Sequence, residues 1–176
     1  RSADIAAQAQ IAAMRATKIA RFEYEVEAAL QYVYRTNNAV AAYEPIVGSG
    51  ANACVLHYRA NNAPIKKGDL LLCDAGGEYA YYASDITRTW PTNGRFSKPQ
   101  RDVYNIVLAA QKASIDASQI GTPYDKIHQA SVEILTEGLL SLGLLKGTLK
   151  NAIETGAYKK FYMHKTGHWI GLDVHD

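Results

Sequence analysis

The segment that most constrains the fold is residues 70–90, LLLCDAGGEYAYYASDITRTW. Its apolar, β-branched and aromatic residues predict two strands, Leu70–Ala75 and Tyr81–Trp90, because such side chains pack well on a pleated surface. A turn centred on Tyr79 and Ala80 would join the two strands. The sequence therefore predicts an antiparallel hairpin.

Each predicted strand carries an aspartate. A turn at that position pairs Asp74 with Asp85 on one face of the sheet, with their Cβ atoms about 4.5–5.5 Å apart. Two partly buried carboxylates so close repel each other and need compensation. A shared proton, neutralisation by Arg88, or divalent cations bound by both carboxylates would provide it. In the alternative interpretation, Asp74 caps a turn and Asp85 faces water; apolar neighbours and a group of histidines later in the chain favour metal.

Those histidines lie in HKTGHWIGLDVHD, residues 164–176. His164 and His168 have helical spacing, but the glycines and β-type residues around them disfavour a helix and predict strand and turn from residue 162. In a strand, His164 and His168 face one side and His175 faces the other. At most two of the three can then be ligands of one metal unless the chain bends near Gly171.

The remaining elements follow from apolar periodicity and from turn residues. Helical spacing predicts four helices, over residues 2–20, 23–35, 97–121 and 122–142. Thr122 is expected to cap the last of these, with Pro123 as its first residue. Short β-type runs predict further strands at 45–48 and 54–58. The order of helices, strands, helices and strand indicates an α+β fold.

Two local features of the sequence carry further expectations. Residues 19–22 are a short connection between the first two helices, so residues are expected to be missing there. Cys54 and Cys73 lie in apolar runs and no C-x-x-C is present, so both are expected to be buried thiols in a reducing compartment.

Composition suits one globular domain and narrows its partners. The chain has 176 residues, 48% of them hydrophobic, and a formal net charge of +2. No basic cluster exceeds Lys159-Lys160, so neither nucleic acid nor an anionic membrane is expected as a partner. No apolar run approaches about 18 residues, so no transmembrane helix is predicted. No signal peptide is visible and the start reads like the interior of a longer protein, so a cytoplasmic location is expected.

Three segments resemble the aminopeptidase P family, the Xaa-Pro aminopeptidases among the pita-bread metallopeptidases. They are IVGSGANACVLHY, GDLLLCDAGGEYAYYASDITRTWPTNG and FYMHKTGHWIGLDVHD, at residues 46–58, 68–94 and 161–176. Their order and spacing also fit, so the resemblance spans almost the whole chain. It implies that residues 1–176 are a partial pita-bread catalytic domain, truncated at its C-terminal side and lacking the N-terminal domain.

The resemblance also implies roles for six residues. It implies three metal ligands, with Asp74 on one metal, Asp85 bridging both, and His168 as the imidazole ligand. It implies three catalytic histidines that line the substrate pocket or bind substrate and help move protons: His57, His164 and His175.

The activity implied is the release of the N-terminal residue from peptides with proline in second position. Two divalent ions, usually Mn²⁺, would activate a hydroxide for this reaction. The intact protein is expected to form a homo-oligomer. Because the family draws two further glutamate ligands from strands beyond HWIGLDVHD, the 176 residues alone are expected to be inactive. Alternatives are a prolidase-type dipeptidase and a non-enzymatic pita-bread binding module, while a methionine aminopeptidase fits the motifs less well.

Overall fold

The structure, a computed structural model, describes residues 1–176, which form two compact units. The first unit comprises Arg1–Ser97 and Trp169–Asp176, and the second comprises Lys98–His168. All five strands belong to the first unit, together with two helices, whereas the second unit is helical. The mixture of helices with antiparallel strands agrees with the predicted α+β class.

The first unit is built from two helices and two small sheets. Its elements are α1 (Ser2–Ala16), α2 (Glu23–Thr36), β1 (Val40–Ala41), β2 (Ile46–Ser49), β3 (Leu70–Ala75), β4 (Gly77–Glu78) and β5 (Ile86–Pro91). Strands β2, β3 and β5 form a three-stranded sheet in that order, and β1 pairs with β4; every pairing is antiparallel.

The core of this unit lies between the helices and one face of the three-stranded sheet. Side chains on that face alternate along β3, so that Leu71, Cys73 and Ala75 are fully buried. Helix α1 contributes small residues one turn apart, Ala9 and Ala13, which let its backbone approach closely. Helix α2 contributes larger side chains: Val26, Leu30 and Tyr34. The apolar alternation of the sequence therefore sets which face of β3 meets the helices.

The two predicted buried cysteines have different outcomes. Cys73 is buried as expected, and burial raises the pKa of its thiol to about 12, so it remains a neutral core residue. Cys54 is exposed, so its predicted burial is wrong. The predicted strand over residues 54–58 is also wrong, because Gly50–Cys54 forms a 3₁₀ turn and the chain then continues as an irregular loop.

Helix α2 has nearly its predicted bounds, whereas α1 ends at Ala16 instead of Ala20. The Thr17 hydroxyl donates to the carbonyl oxygen of Ala13, 2.8 Å away, and accepts a hydrogen bond from the indole of Trp90 at 3.1 Å. Residues 17–22 then form an ordinary connection. The helices are thus joined without the additional residues expected from the sequence.

Glu23, the first residue of α2, is fully buried and acts as a polar junction. Its carboxylate accepts hydrogen bonds from the amide and hydroxyl of Ser49 at 2.8 and 2.9 Å, from the Tyr58 hydroxyl at 2.8 Å and from the Ala63 amide at 3.0 Å. Asn52 adds a bond at 3.2 Å. One carboxylate therefore joins α2, the end of β2 and two points of the irregular loop.

A second buried polar side chain closes the outer edge of β2. Asn61 accepts a hydrogen bond from the Val47 amide at 2.9 Å and donates to the Pro45 carbonyl at 2.7 Å. It also donates to Glu27 on α2, at 2.9 Å. Edge strands expose unpaired backbone groups, and here one side chain pairs them.

The last eight residues of the chain fold back against the first unit. The predicted strand from residue 162 is wrong, because residues 161–176 form turns and bends. The Ala83 amide donates to the Gly171 carbonyl at 2.9 Å, and the Gly171 amide donates to the Asp173 carbonyl at 3.0 Å. The chain therefore bends near Gly171. Such a bend is what the strand pattern required before His175 could face the same side as the other histidines.

The second unit is a helical cluster of α3 (Lys98–Ala117), α4 (Tyr124–Ser141) and α5 (Leu149–Glu154), followed by a 3₁₀ turn at Ala157–Lys160. Gly138 is needed where α4 meets α3, because a Cβ there would overlap Ile106. The predicted cap of α4 is wrong by one residue: Pro123 holds the N-cap position. Helix α5 was not predicted from the sequence, although Thr148 caps it by accepting a hydrogen bond from the Asn151 amide at 3.3 Å. None of the helices is long and apolar enough to cross a membrane.

We expect Glu23→Gln to reduce the free energy of unfolding by about 2–3 kcal/mol, because the new amide would point donors at the donors of Tyr58 and Ala63. Burial by itself raises the pKa of Glu23, but the hydrogen bonds outweigh it and the net pKa is lowered. A lowered pKa stabilises the fold above the unfolded value, and this stability is lost as the pH falls through the folded value.

Urea unfolding at pH 7 and at a series of acidic pH values would measure this effect. The difference between wild type and Glu23→Gln should shrink as the pH falls below about 4.3, the ordinary glutamate value. The exposed Glu133→Gln serves as the matched control. Equal stability of wild type and Glu23→Gln at pH 7 would contradict the structural role of this carboxylate.

Candidate metal centre

The hairpin that carries the two aspartates turns one residue later than predicted. Tyr79 and Tyr82 exchange both backbone hydrogen bonds, at 3.0 and 3.1 Å, so Ala80 and Tyr81 form the tip. Both tip residues are left-handed, with φ of 50° and 70°, as in a type I′ turn. Such turns favour Asn-Gly, so an Ala-Tyr pair gave no signal from which to place the tip.

The shift changes the partner of Asp74 but preserves its face. Asp74 pairs with Thr87 across the β3–β5 ladder, so the predicted pairing with Asp85 is wrong. Moving a turn by one residue moves the register by two, and side chains alternate with a period of two. Asp74 and Asp85 therefore still share one face, as diagonal neighbours.

Tyr43 reaches the two aspartates through the connection between β1 and β2. The Ala42 amide donates to the Gly76 carbonyl at 2.9 Å, which brings this connection alongside the hairpin. Gly76 leaves the space that the ring needs, because a Cβ there would lie 3.0 Å from Cε1 of Tyr43 and would overlap the carbonyl of Ser84. The glycine thus opens a place for the tyrosine beside the two carboxylates.

The Tyr43 hydroxyl lies 2.6 Å from Oδ1 of Asp74 and 2.7 Å from Oδ1 of Asp85. A phenol has one hydrogen, so it can donate to only one carboxylate at a time. Two short contacts therefore require a further proton or a cation between the three oxygens. Burial raises the pKa of Asp74 and the charge of Asp85 adds to this, while the hydrogen bond from Tyr43 offsets part of it. The pair is poised to take up positive charge.

The sequence also allowed neutralisation by Arg88 and a turn-capping role for Asp74, and the structure shows neither. Arg88 pairs with Cys73 across the ladder, on the face opposite Asp74, and its guanidinium donates to the Thr87 carbonyl at 2.8 Å. It therefore does not neutralise Asp74. A turn-capping role for Asp74 is also wrong, because the residue lies within β3.

A cavity of about 530 Å³ opens beside the two carboxylates in the first unit. Its lining joins residues from β2 and the connection before it, the hairpin, the irregular loop and the C-terminal segment: Ala42, Tyr43, Glu44, Ile46, His57, Arg59, Asp74, Asp85, Asp173, Val174 and His175. The bend near Gly171 brings a ring nitrogen of His175 within 4.8 Å of a carboxylate oxygen of Asp85. The cavity thus combines carboxylates with imidazoles.

His57 enters this cavity from the irregular loop, in a left-handed conformation with φ of 52°. The next residue, Tyr58, is anchored on Glu23, and Arg59 forms an ion pair with Glu44 at 3.0 Å. Because the ion pair is exposed, the partly buried bond between Tyr58 and Glu23 provides most of the anchoring. His57 is therefore an exposed side chain, and the residues that follow it anchor its loop.

The predicted residues His164 and His168 belong to the second unit. The ring of His164 packs edge-on against Tyr162, with centroids 5.0 Å apart, and its Nδ1 lies 2.8 Å from the Lys165 carbonyl oxygen. His164 lines a second cavity of about 240 Å³, which also includes His128. His168 is exposed and is the last residue of this unit. The roles assigned to these two histidines stay predictions.

The donors fit a divalent cation. In the first unit, two carboxylates converge on one point, and an imidazole lies beside one of them. Carboxylate oxygen with imidazole nitrogen suits Mn²⁺ and similar ions better than soft metals. Tyr43 is the member of this site that sequence reasoning missed, since only the strand pairings bring it to the aspartates.

Comparison with known proteins extends this result. The chain is 48% identical over 173 residues to an Xaa-Pro aminopeptidase of Haemophilus influenzae. This alignment covers 98% of the chain and 40% of that relative. It is 42% identical over 177 residues to the Xaa-Pro aminopeptidase of Escherichia coli. This alignment covers all of the chain and 40% of that relative. The chain thus spans about 40% of the length of these relatives.

Solved structures give the same likeness. Aminopeptidase PepP of Pseudomonas aeruginosa superimposes with a TM-score of 0.95 at 49% identity, over 99% of this chain and 40% of that one. A variant of Escherichia coli aminopeptidase P in complex with substrate superimposes with a TM-score of 0.98 at 42% identity, over 100% of this chain and 40% of that one. These likenesses confirm the resemblance and the pita-bread type of α+β fold.

The family model for metallopeptidase family M24 matches residues 1–176, the whole of this sequence. A family of metallopeptidases agrees with the convergence of Asp74 and Asp85 on one partly buried point. The chain therefore belongs to metallopeptidase family M24.

Proposed function

We propose that this chain is part of a metal-dependent exopeptidase that releases the N-terminal residue from peptides with proline in second position. The observation that carries the proposal is the convergence of Asp74 and Asp85 in a cavity that also contains His57 and His175. The relatives that are 42–48% identical are Xaa-Pro aminopeptidases, which supports the choice of substrate.

On the basis of the family resemblance, Asp74, Asp85 and His168 would hold two divalent ions, and Asp85 would be a ligand of both. We infer Mn²⁺, because hard carboxylate oxygens dominate the donors. Bound ions would acidify a water molecule, polarise the scissile carbonyl and stabilise the developing negative charge. The Asp74 carboxyl must give up any proton on ligation, so acidic conditions should weaken metal binding.

The histidines would handle the peptide. His57 enters the cavity from its loop, where its ring can form a hydrogen bond to the peptide backbone. His175, close to Asp85, would accept or deliver a proton at its ring nitrogen during cleavage. His164 is proposed as a further substrate-binding residue, on the basis of family resemblance alone.

The 176 residues supply three ligands of the proposed set, whereas the family resemblance requires two additional glutamates. We therefore propose that these residues alone bind metal weakly or singly and lack activity. The test compares them with an extended chain that carries the two glutamate strands, assaying release of the first residue from an Xaa-Pro-Xaa peptide with added Mn²⁺. Activity of the shorter chain would refute the need for the glutamates.

The same assay separates the competing functions. Cleavage of Xaa-Pro dipeptides alone by the extended chain would indicate a prolidase-type enzyme instead. An extended chain that binds metal and cleaves neither substrate would favour a non-enzymatic binding module. Release of the first residue from the longer peptide is the result that the proposal requires.

In the extended chain, Asp85→Asn should lower the bound Mn²⁺ from two ions to at most one per chain, because an amide is a poor bridging ligand. Metal analysis after equilibrium dialysis measures this stoichiometry. Asp116→Asn, an exposed position on α3, is the matched control and should retain both ions. Two ions in Asp85→Asn would refute the bridging role.

His57→Ala and His175→Ala should each lower kcat/KM of the extended chain by about 100-fold, the scale of one lost acid, base or orienting group. Bound Mn²⁺ should stay near the wild-type level, because neither residue is a proposed ligand. Steady-state kinetics and metal analysis of the same preparations test both statements. Loss of Mn²⁺ from His175→Ala would instead make His175 a ligand.

A further inference from the structure

We propose that Tyr43 is a positioning residue of the metal site, whose hydroxyl orients Asp74 and Asp85 and thereby raises the affinity of the site for divalent cations. The inference rests on the proposed metal-dependent function. It concerns a residue that has neither a metal-binding nor a catalytic role in that proposal.

The hydroxyl contacts one oxygen of each carboxylate. Tyr43 lies 2.6 Å from Oδ1 of Asp74 and 2.7 Å from Oδ1 of Asp85. Each carboxylate also has an Oδ2 atom, and carboxylates can accept several partners at once. The hydroxyl can therefore donate to one carboxylate at a time while it contacts both, and these contacts leave the Oδ2 atom of each to act as a ligand.

The sheet alone does not fix the separation of these two carboxylates. Asp74 faces Thr87 in the ladder, and Asp85 lies before the first residue of β5. The terminal torsion of an aspartate is broad, so its oxygens turn easily unless a partner holds them. The Tyr43 hydroxyl is a partner that both aspartates share.

Tyr43 is itself held from two sides of β3. On one side the Ala42 amide bonds to the Gly76 carbonyl at 2.9 Å, and on the other Ile46 pairs with Asp74 in the β2–β3 ladder. Its ring occupies the space that Gly76 leaves open. The hydroxyl is therefore placed by backbone pairings on both flanks rather than by a flexible loop.

A hydroxyl held in this way is an outer partner of two proposed metal ligands. Partners that orient metal ligands typically change metal affinity by about 10–100-fold when removed.

Tyr43→Phe in the extended chain tests this role, since it removes the hydroxyl and keeps the ring. Calorimetric titration with Mn²⁺ should show the Kd of at least one ion raised by about 10–100-fold. At saturating Mn²⁺, kcat should return to near the wild-type value. The melting temperature of the metal-free variant should stay near that of wild type.

Tyr34→Phe is the matched control, because Tyr34 is a fully buried tyrosine on α2 whose hydroxyl has no hydrogen-bond partner. It should leave the affinity for Mn²⁺ unchanged. Equal weakening in Tyr34→Phe would indicate a general packing effect and overturn the inference. So would wild-type affinity in Tyr43→Phe, a kcat that stays low at saturating Mn²⁺, or a lowered melting temperature without metal.

Failure of this inference is distinguishable from failure of the proposed function. If the wild-type extended chain takes up no Mn²⁺, the proposed function fails and the inference fails with it. If the wild type binds Mn²⁺ and is active while Tyr43→Phe binds it equally well, only the positioning role of the hydroxyl is refuted.

Discussion

The buried carboxylate of Glu23 is the interaction on which most of the first unit depends. It joins the start of α2 to the end of β2 and to the loop that carries His57. A buried charge without partners would be costly, so these donors must all be in place before the carboxylate can leave water. The helix, the strand and the loop therefore become ordered together, and the position of His57 is tied to the integrity of the core.

The candidate site then arises on one face of the central strand β3, together with the connections beside it. One face of β3 packs on the helices, so the other face is left to carry Asp74. The pairing of β1 with β4 brings the Tyr43 segment to that same face, where Gly76 leaves room for the ring. The polar site is thus the counterpart of the apolar face of the same strand. The alternating sequence of β3 places apolar side chains on the face that packs against the helices and Asp74 on the face that carries the candidate site.

The sequence predicted those parts of the fold that depend on local periodicity. Strand β3 and the common face of Asp74 and Asp85 follow from alternation, which survives a register shift of two residues. The exact pairing did not follow, because it depends on the turn, and nothing in the residue types marked Ala80 and Tyr81 as its tip. Tyr43 could not be found either, since a contact across two strand pairings leaves no local pattern. Resemblance to relatives supplied the remaining roles.

The turn at Ala80 and Tyr81 has a consequence for how the chain folds. Left-handed conformations cost non-glycine residues roughly 1–2 kcal/mol each, and both residues adopt one here. A hairpin with a favourable turn can form by itself within microseconds, but this one starts from an unfavourable tip. Gln10 on α1 donates to the carbonyl oxygen of Ile86 at 2.7 Å, midway along the hairpin. We therefore expect the hairpin to close late, on a surface that the two helices have already formed.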